Sequence, residues 1–96
     1  MRPSGSLETH RESLRALVAR HQVENPRVFG SALRRTDTED SDLDLLVDPT
    51  PWTTLMDLAA LQLEAEALLG VRVDVLTPNF LSPAFRDRVL AEAAAV

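Results

Sequence analysis

Cysteine is missing from this chain and so is lysine, all ten basic residues being arginine. The first absence excludes disulfide staples and thiolate metal sites. The second excludes a phosphate loop built on a Walker lysine. No basic run is longer than the pair Arg34 and Arg35, and the net charge is −5. An acidic chain without a basic tract is poorly suited to grasping a duplex, so a nucleotide is a better expected ligand than nucleic acid. Residues 1–12 contain no apolar core of the kind a signal peptide needs, and no window approaches the roughly 18 apolar residues of a membrane span. A soluble cytoplasmic protein with no membrane partner is expected. Internal repeats and low-complexity tracts are also lacking, and the few Gly, Pro and Ser residues punctuate short elements without forming a linker.

What the chain does have is 45% hydrophobic residues in a length of 96, enough to bury a core as one domain over 1–96, with residues 1–5 expected to be disordered. A domain of this size buries only about 60 to 65% of the surface its unfolded chain exposes. Its stability should be modest, and docking to a partner would add to it.

Leu7, Leu14, Leu17 and Val18 recur at helical spacing after the candidate cap Ser6, predicting a helix over about 6–22. Asn25-Pro26 reads as a breaker, Arg27-Val28-Phe29 as a short strand ending at Gly30, and Ser31 to Arg35 as one helical turn. A polar turn over 36–41 leads into the alternating segment Asp42 to Asp48, a strand. Pro49 and Pro51 end it. A long helix is predicted from Trp52 to Leu69, with Leu55, Met56, Ala59, Ala60, Leu63, Ala67 and Leu68 as its apolar stripe and Gly70 as its C-cap. Val71 to Leu76 is a further strand, and Ser82-Pro83 opens a last helix with Phe85, Val89 and Ala93 inward, its final turns over 91–96 fraying. A helix joining the strands at 42–48 and 71–76 makes them parallel neighbours. The expected fold class is α/β, a short sheet core with helices packed on at least one face.

Asp42 and Asp44 are two apart on one strand, so both carboxylates point to one face while Leu43, Leu45 and Val47 point to the other. Like charges this close persist where a cation neutralises them or where both are solvated. Asp74, between Val73 and Val75, would be costly facing the core, so it should share the face of Asp42 and Asp44. Three carboxylates on adjacent strands make a hard oxygen site suited to Mg²⁺ or Mn²⁺, with room for two ions. Asp74 is then the candidate base. Taken alone, an Asp-x-Asp pair is more often two solvated residues at a strand end. Gly30-Ser31 alone is more often a tight turn, although exposed N–H groups and a hydroxyl after a strand can also cradle phosphate. The combination of all five residues favours a metal and phosphate site.

The run from Phe29 to Val47, with Gly30-Ser31 followed by Ser41-Asp42-Leu43-Asp44-Leu45, resembles the signature of the polymerase-beta-like nucleotidyltransferases. In length and element order the chain is similar to the minimal nucleotidyltransferases of prokaryotes over roughly residues 10–90. The resemblance implies that Gly30 and Ser31, with Arg34, bind the triphosphate and that Asp42, Asp44 and Asp74 hold two Mg²⁺ ions. It further implies an antitoxin paired with a HEPN-domain RNase toxin in a hetero-oligomer, transferring AMP from ATP to a hydroxyl of that partner. Two positions depart from the family pattern: Leu33 where a small residue is usual, and Arg35 where Gly is usual. They open an alternative, a binding module that masks the toxin without turnover. A subunit serving a tRNA or an antibiotic is a third reading, for which no second domain is evident.

Other features point to structure. His10 and His21 are read as packed or surface residues. Asp40-x-Asp42-x-Asp44 is no EF-hand loop, because Leu45 and Pro51 stand where Gly and Glu are needed. Arg72, two before Asp74, is expected to pair with a carboxylate. Trp52 is expected to anchor a core or partner, and Phe80, Leu81 and Phe85 to be buried.

Overall fold

The computed structural model describes all residues, Met1–Val96. A Pro at the first helical position starts α1, Pro3–Ala19, because its fixed φ suits a helix and its missing N–H is one the first turn cannot use. The helix therefore begins before the expected Ser6, and residues 3–5, expected to be disordered, form its first turn. It bends at His10 (φ −114°, ψ 20°). Leu7, Leu14, Leu17 and Val18 are buried, as their spacing indicates.

Strand β1, Val23–Phe29, is longer than expected. Asn25-Pro26 does not break it, because the ladder with the next strand slips between Glu24 and Arg27 and Asn25 takes a positive φ of 52°. A bulge on a strand lets proline sit where no ladder hydrogen bond is required of it. The single turn α2, Ser31–Arg34, the loop 35–42 and β2, Leu43–Pro49, follow. A capping box between Thr54 and Asp57 starts α3, Leu55–Leu69, and Gly70 (φ 69°) closes it. Then come β3, Val73–Leu76, a 3₁₀ turn at Pro78–Phe80, α4, Arg86–Glu92, and β4, Ala94–Ala95. The residues expected to fray instead pair with β1, Arg27 opposite Ala95 and Val28 opposite Ala94.

The sheet order is β3-β2-β1-β4. β2 and β3 are parallel, as the crossover through α3 requires, and β1 is antiparallel to β2. The outer edge of β3 is covered by α3, whose Glu66 and Gln62 side chains accept from the N–H groups of Val73 (3.1 Å) and Val75 (3.4 Å). One sheet face, with Leu43, Leu45, Val47, Val73 and Val75, joins α1 and α3 in the main core. The other face carries a smaller cluster in which Leu46 meets Leu81 and Val89.

Helix α3 corrects the sequence reading. Its buried residues are Leu58, Leu61, Ala65 and Leu69, whereas Leu55, Met56 and Leu63 of the expected inward stripe are exposed. The helix is apolar nearly all round, so periodicity alone cannot select the inward face. Trp52 is 76% exposed and so anchors no core, and Phe80 and Phe85 are exposed as well.

Candidate active site

The second sheet face is occupied by carboxylates as well as by Leu46. Asp42 stands at the mouth of β2 and Asp44 one step inside it. In the ladder Asp44 is opposite Phe29 of β1 on one side and Asp74 of β3 on the other. Val73 and Val75 are buried while Asp74 is exposed, so Asp74 turns away from the main core, as the cost of burying its charge demands. Asp48, which has the same strand phase, is withdrawn from this group by Arg27 and by Asn25, whose Nδ2 donates to it at 2.9 Å.

Phe29 leads directly into Gly30, where φ is 77° and ψ −153°, a region essentially restricted to glycine. A Cβ there would also collide with the Asp44 carboxylate. Gly30 therefore serves two purposes: it turns the chain from β1 into α2 and it lets backbone lie against Asp44. Ser31 follows, half-buried. Arg35 ends α2 in the left-handed conformation (φ 57°, ψ 31°), which accounts for the glycine usual at this place in the family it resembles. Its guanidinium is 3.6 Å from Glu8. Leu33 packs against the main core.

Burial first, then the charges of Asp74 and Asp42, push the Asp44 carboxyl up to about 6, with Arg34 opposing the rise. A carboxylate that two others disfavour and burial disfavours further is a site for a cation. Asp42 gives the same indication. Its Oδ1 is buried without a hydrogen bond, although Arg72 Nε lies 2.9 Å away, because that N–H is not aimed at it. The contact is an ion pair only, and the Arg72 Nη2 donates instead to the Asp40 carbonyl at 2.9 Å. An all-oxygen set with an orphaned oxygen fits a hard divalent cation. The side chains do not close into a cage unaided: no three acidic or histidine groups stand close enough together to hold an ion.

The loop leading to Asp42 is fastened by Asp37, a buried residue that motif reading passed over. Burial raises its pKa, but hydrogen bonds from Ser4 N (2.8 Å) and Ser4 Oγ (2.9 Å), with its own N–H and the charge of Arg2, bring it below the usual carboxylate range. Beside Gly30 opens a cleft of about 460 Å³ lined by Phe29, Gly30, Arg34, Arg88, Val89 and Glu92. Arg34, expected to bind the triphosphate, lines this cleft, and its charge acts on Asp44. Arg88 was not anticipated, because only the packing of α4 on the sheet brings it there. The two histidines have structural contacts, His10 Nδ1 with the Ser6 carbonyl (3.0 Å) and His21 Nε2 with Glu64 (2.7 Å).

This geometry agrees with what the chain is similar to. The family described as nucleotidyltransferase domain matches residues 7–96. A provisionally named protein adenylyltransferase of Methanocaldococcus jannaschii is 41% identical over 80 residues, 83% of this chain and 86% of that protein. The protein adenylyltransferase MntA of Thermococcus cleftensis is 38% identical over 90 residues, 94% of this chain and 88% of that protein. A solved structure, provisionally described as a minimal nucleotidyltransferase, superposes with a TM-score of 0.87 at 46% identity, covering 97% of this chain and 95% of that one. A toxin–antitoxin complex with AMP-PNP contains a chain of the same fold, with a TM-score of 0.70 at 18% identity over 83% of this chain and 66% of that one. Matched along nearly its whole length, with the carboxylates and Gly30 gathered at one end of the sheet, the chain belongs to the nucleotidyltransferase domain family, as a minimal nucleotidyltransferase.

Proposed function

We propose that the chain transfers AMP from ATP to a hydroxyl of a partner protein, and that the partner is a HEPN-domain RNase toxin to which it serves as antitoxin. The observation that carries the nucleotidyl transfer is the close approach of Gly30 to Asp44, with Asp74 next to Asp44 in the ladder. A turn with exposed N–H groups of the kind that can cradle phosphate would then lie against a group of carboxylates. The relatives named as protein adenylyltransferases support a protein acceptor, and a toxin–antitoxin complex with AMP-PNP that shares the fold is in keeping with a toxin partner.

Gly30 and Ser31, with Arg34, would take the triphosphate, and Asp42, Asp44 and Asp74 would hold two Mg²⁺ ions. Bound there, Mg²⁺ would neutralise phosphate charge and acidify the attacking hydroxyl. The acceptor oxygen attacks the α-phosphorus, its proton passes to Asp74, and the bond to the bridging oxygen breaks to release pyrophosphate. A reaction that draws on ATP would take place in the cytoplasm.

Labelled ATP and Mg²⁺, incubated with the chain and its co-encoded partner, test this. Label on the partner with wild type, lost in Asp42→Asn and Asp44→Asn, is the expected result. Neutralisation of the partner that persists without label, in wild type and both variants, would refute transfer and leave masking by direct binding. That second reading draws support from the Arg72 contact on Asp42 and the left-handed Arg35.

A further inference from the structure

Of the ten arginines, six have a hydrogen-bond or ion-pair partner for the guanidinium, and Arg2, Arg20, Arg34 and Arg88 have none. Two of these four, Arg34 and Arg88, line the single cleft that has Gly30 in its wall. In a chain of net charge −5 carboxylates outnumber cations, so two free guanidiniums facing one cleft amount to a local reversal of charge. Glu92, four residues after Arg88 and in the same cleft, offsets one of the two charges but forms no ion pair with either arginine. The order Arg then Glu is the weaker of the two (i, i+4) arrangements on a helix.

Arg88 is also held on firm support. Val89 beside it is buried with Leu46 and Leu81, and Arg86 Nη2 donates to the Leu81 carbonyl at 2.8 Å at the start of α4. Beyond α4 the chain returns to the sheet as β4, and Val96 N donates to the Pro26 carbonyl at 3.0 Å. The helix is thereby fixed on the carboxylate face, next to Phe29 and Gly30. A planar guanidinium fork that is free of other partners, on a helix whose place is fixed, suits phosphate oxygens better than any other side chain. The cleft, about 460 Å³, lies within the size range of small-ligand sites.

We propose that Arg88 is a nucleotide-binding residue which, together with Arg34, clamps the triphosphate, so that α4 is part of the active site. This rests on the reading that the site takes a nucleoside triphosphate. The acidic Glu92 opposes the anion, and its charge is the part of the cleft that weakens binding.

Calorimetric titration of the full chain with Mg·ATP, and separately with Mg²⁺ and AMP, provides the test, using wild type, Arg88→Ala, Arg88→Lys and Glu92→Gln. Loss of a charge-assisted hydrogen bond raises the Kd for ATP about tenfold in Arg88→Ala, with partial recovery in Arg88→Lys, which keeps the charge and loses the fork. AMP binding changes much less. Glu92→Gln, on the same helix and in the same cleft, binds ATP at least as tightly as wild type and so controls for the integrity of α4. An unchanged Kd for ATP in Arg88→Ala, with wild type binding normally, overturns the assignment while leaving the nucleotide reading intact. Equal weakening of AMP and ATP overturns the triphosphate contact and moves Arg88 to the nucleoside. Wild type that binds no ATP removes both readings together.

Discussion

Two residues show how local chemistry sets the site, and each carries a consequence that can be measured. Arg35 holds a left-handed conformation at the end of α2, which costs a residue with a Cβ roughly 1 kcal/mol that glycine avoids. Arg35→Gly should raise the unfolding free energy measured in urea by an amount of that order, and an unchanged or lower value would show that the Glu8 contact outweighs the strain. Asp44 acts on stability through pH. Its carboxyl is raised to about 6 in the folded chain, so between its ordinary value near 3.8 and 6 the folded state binds a proton that the unfolded state has released. Stability therefore falls as pH rises through that window and levels off above it. In urea titrations from pH 4 to 7, Asp44→Asn should lack this fall, and the wild-type curve minus the variant curve should slope downward. Mg²⁺ added above pH 6 should reverse the loss in wild type alone. Asp42, Asp44 and Asp74 could be read as a group from strand phase and the cost of burying charge. Arg88 could not, because no local pattern records which helix packs beside Gly30.

Among the elements, those with one apolar face were legible and those with two, or with too few residues, were not. Helix α1 buries the residues its period selects, and strand β2 buries Leu43, Leu45 and Val47 as its alternation selects, with Leu46 buried besides on the other face. Helix α3 does not, since Leu55, Met56 and Leu63 are as apolar as Leu58 and Leu61, and only the position of α1 and the sheet decides between them. The two-residue β4 has no period to read, and the bulge at Asn25-Pro26 makes a breaker pair compatible with a strand. The α3 assignment yields a paired test. Leu61 is fully buried, and Leu61→Ala should cost about 2–5 kcal/mol through lost burial and an unfilled cavity. Leu63, two residues on, is 67% exposed, and Leu63→Ala should stay within about 0.5 kcal/mol. Circular dichroism is the suitable probe in urea, because the single Trp52 is already 76% exposed when folded and its emission should report unfolding poorly. Similar losses at both positions would mean that the outer face of α3 is covered in solution.

At the scale of the whole molecule the sheet separates two tasks. One face is spent on the main core with α1 and α3, and the other is divided between a three-residue cluster and the carboxylates. A domain of this size has little stability to spare, yet it keeps Asp42, Asp44 and Asp74 together on that second face, with an orphaned buried oxygen on Asp42 and a glycine-only turn at Gly30. The unliganded fold thus works against its own charge, and a ligand that neutralises it should stabilise the chain more than contact area alone suggests. By mass action, Mg·ATP at 100 times its Kd adds about 2.7 kcal/mol, and for a domain of 60–100 residues each kcal/mol moves Tm by about 4–8 °C. Wild type should therefore gain upward of about 10 °C with Mg·ATP by these two relations. ATP with a chelator should give little of this gain, because the carboxylates then repel the triphosphate. Asp42→Asn and Asp44→Asn should invert the pattern, with a higher Tm than wild type when unliganded and a much smaller rise with Mg·ATP. Equal rises in wild type and both variants would show that these carboxylates take no part in binding the metal-bound nucleotide, whatever the transfer assay reports.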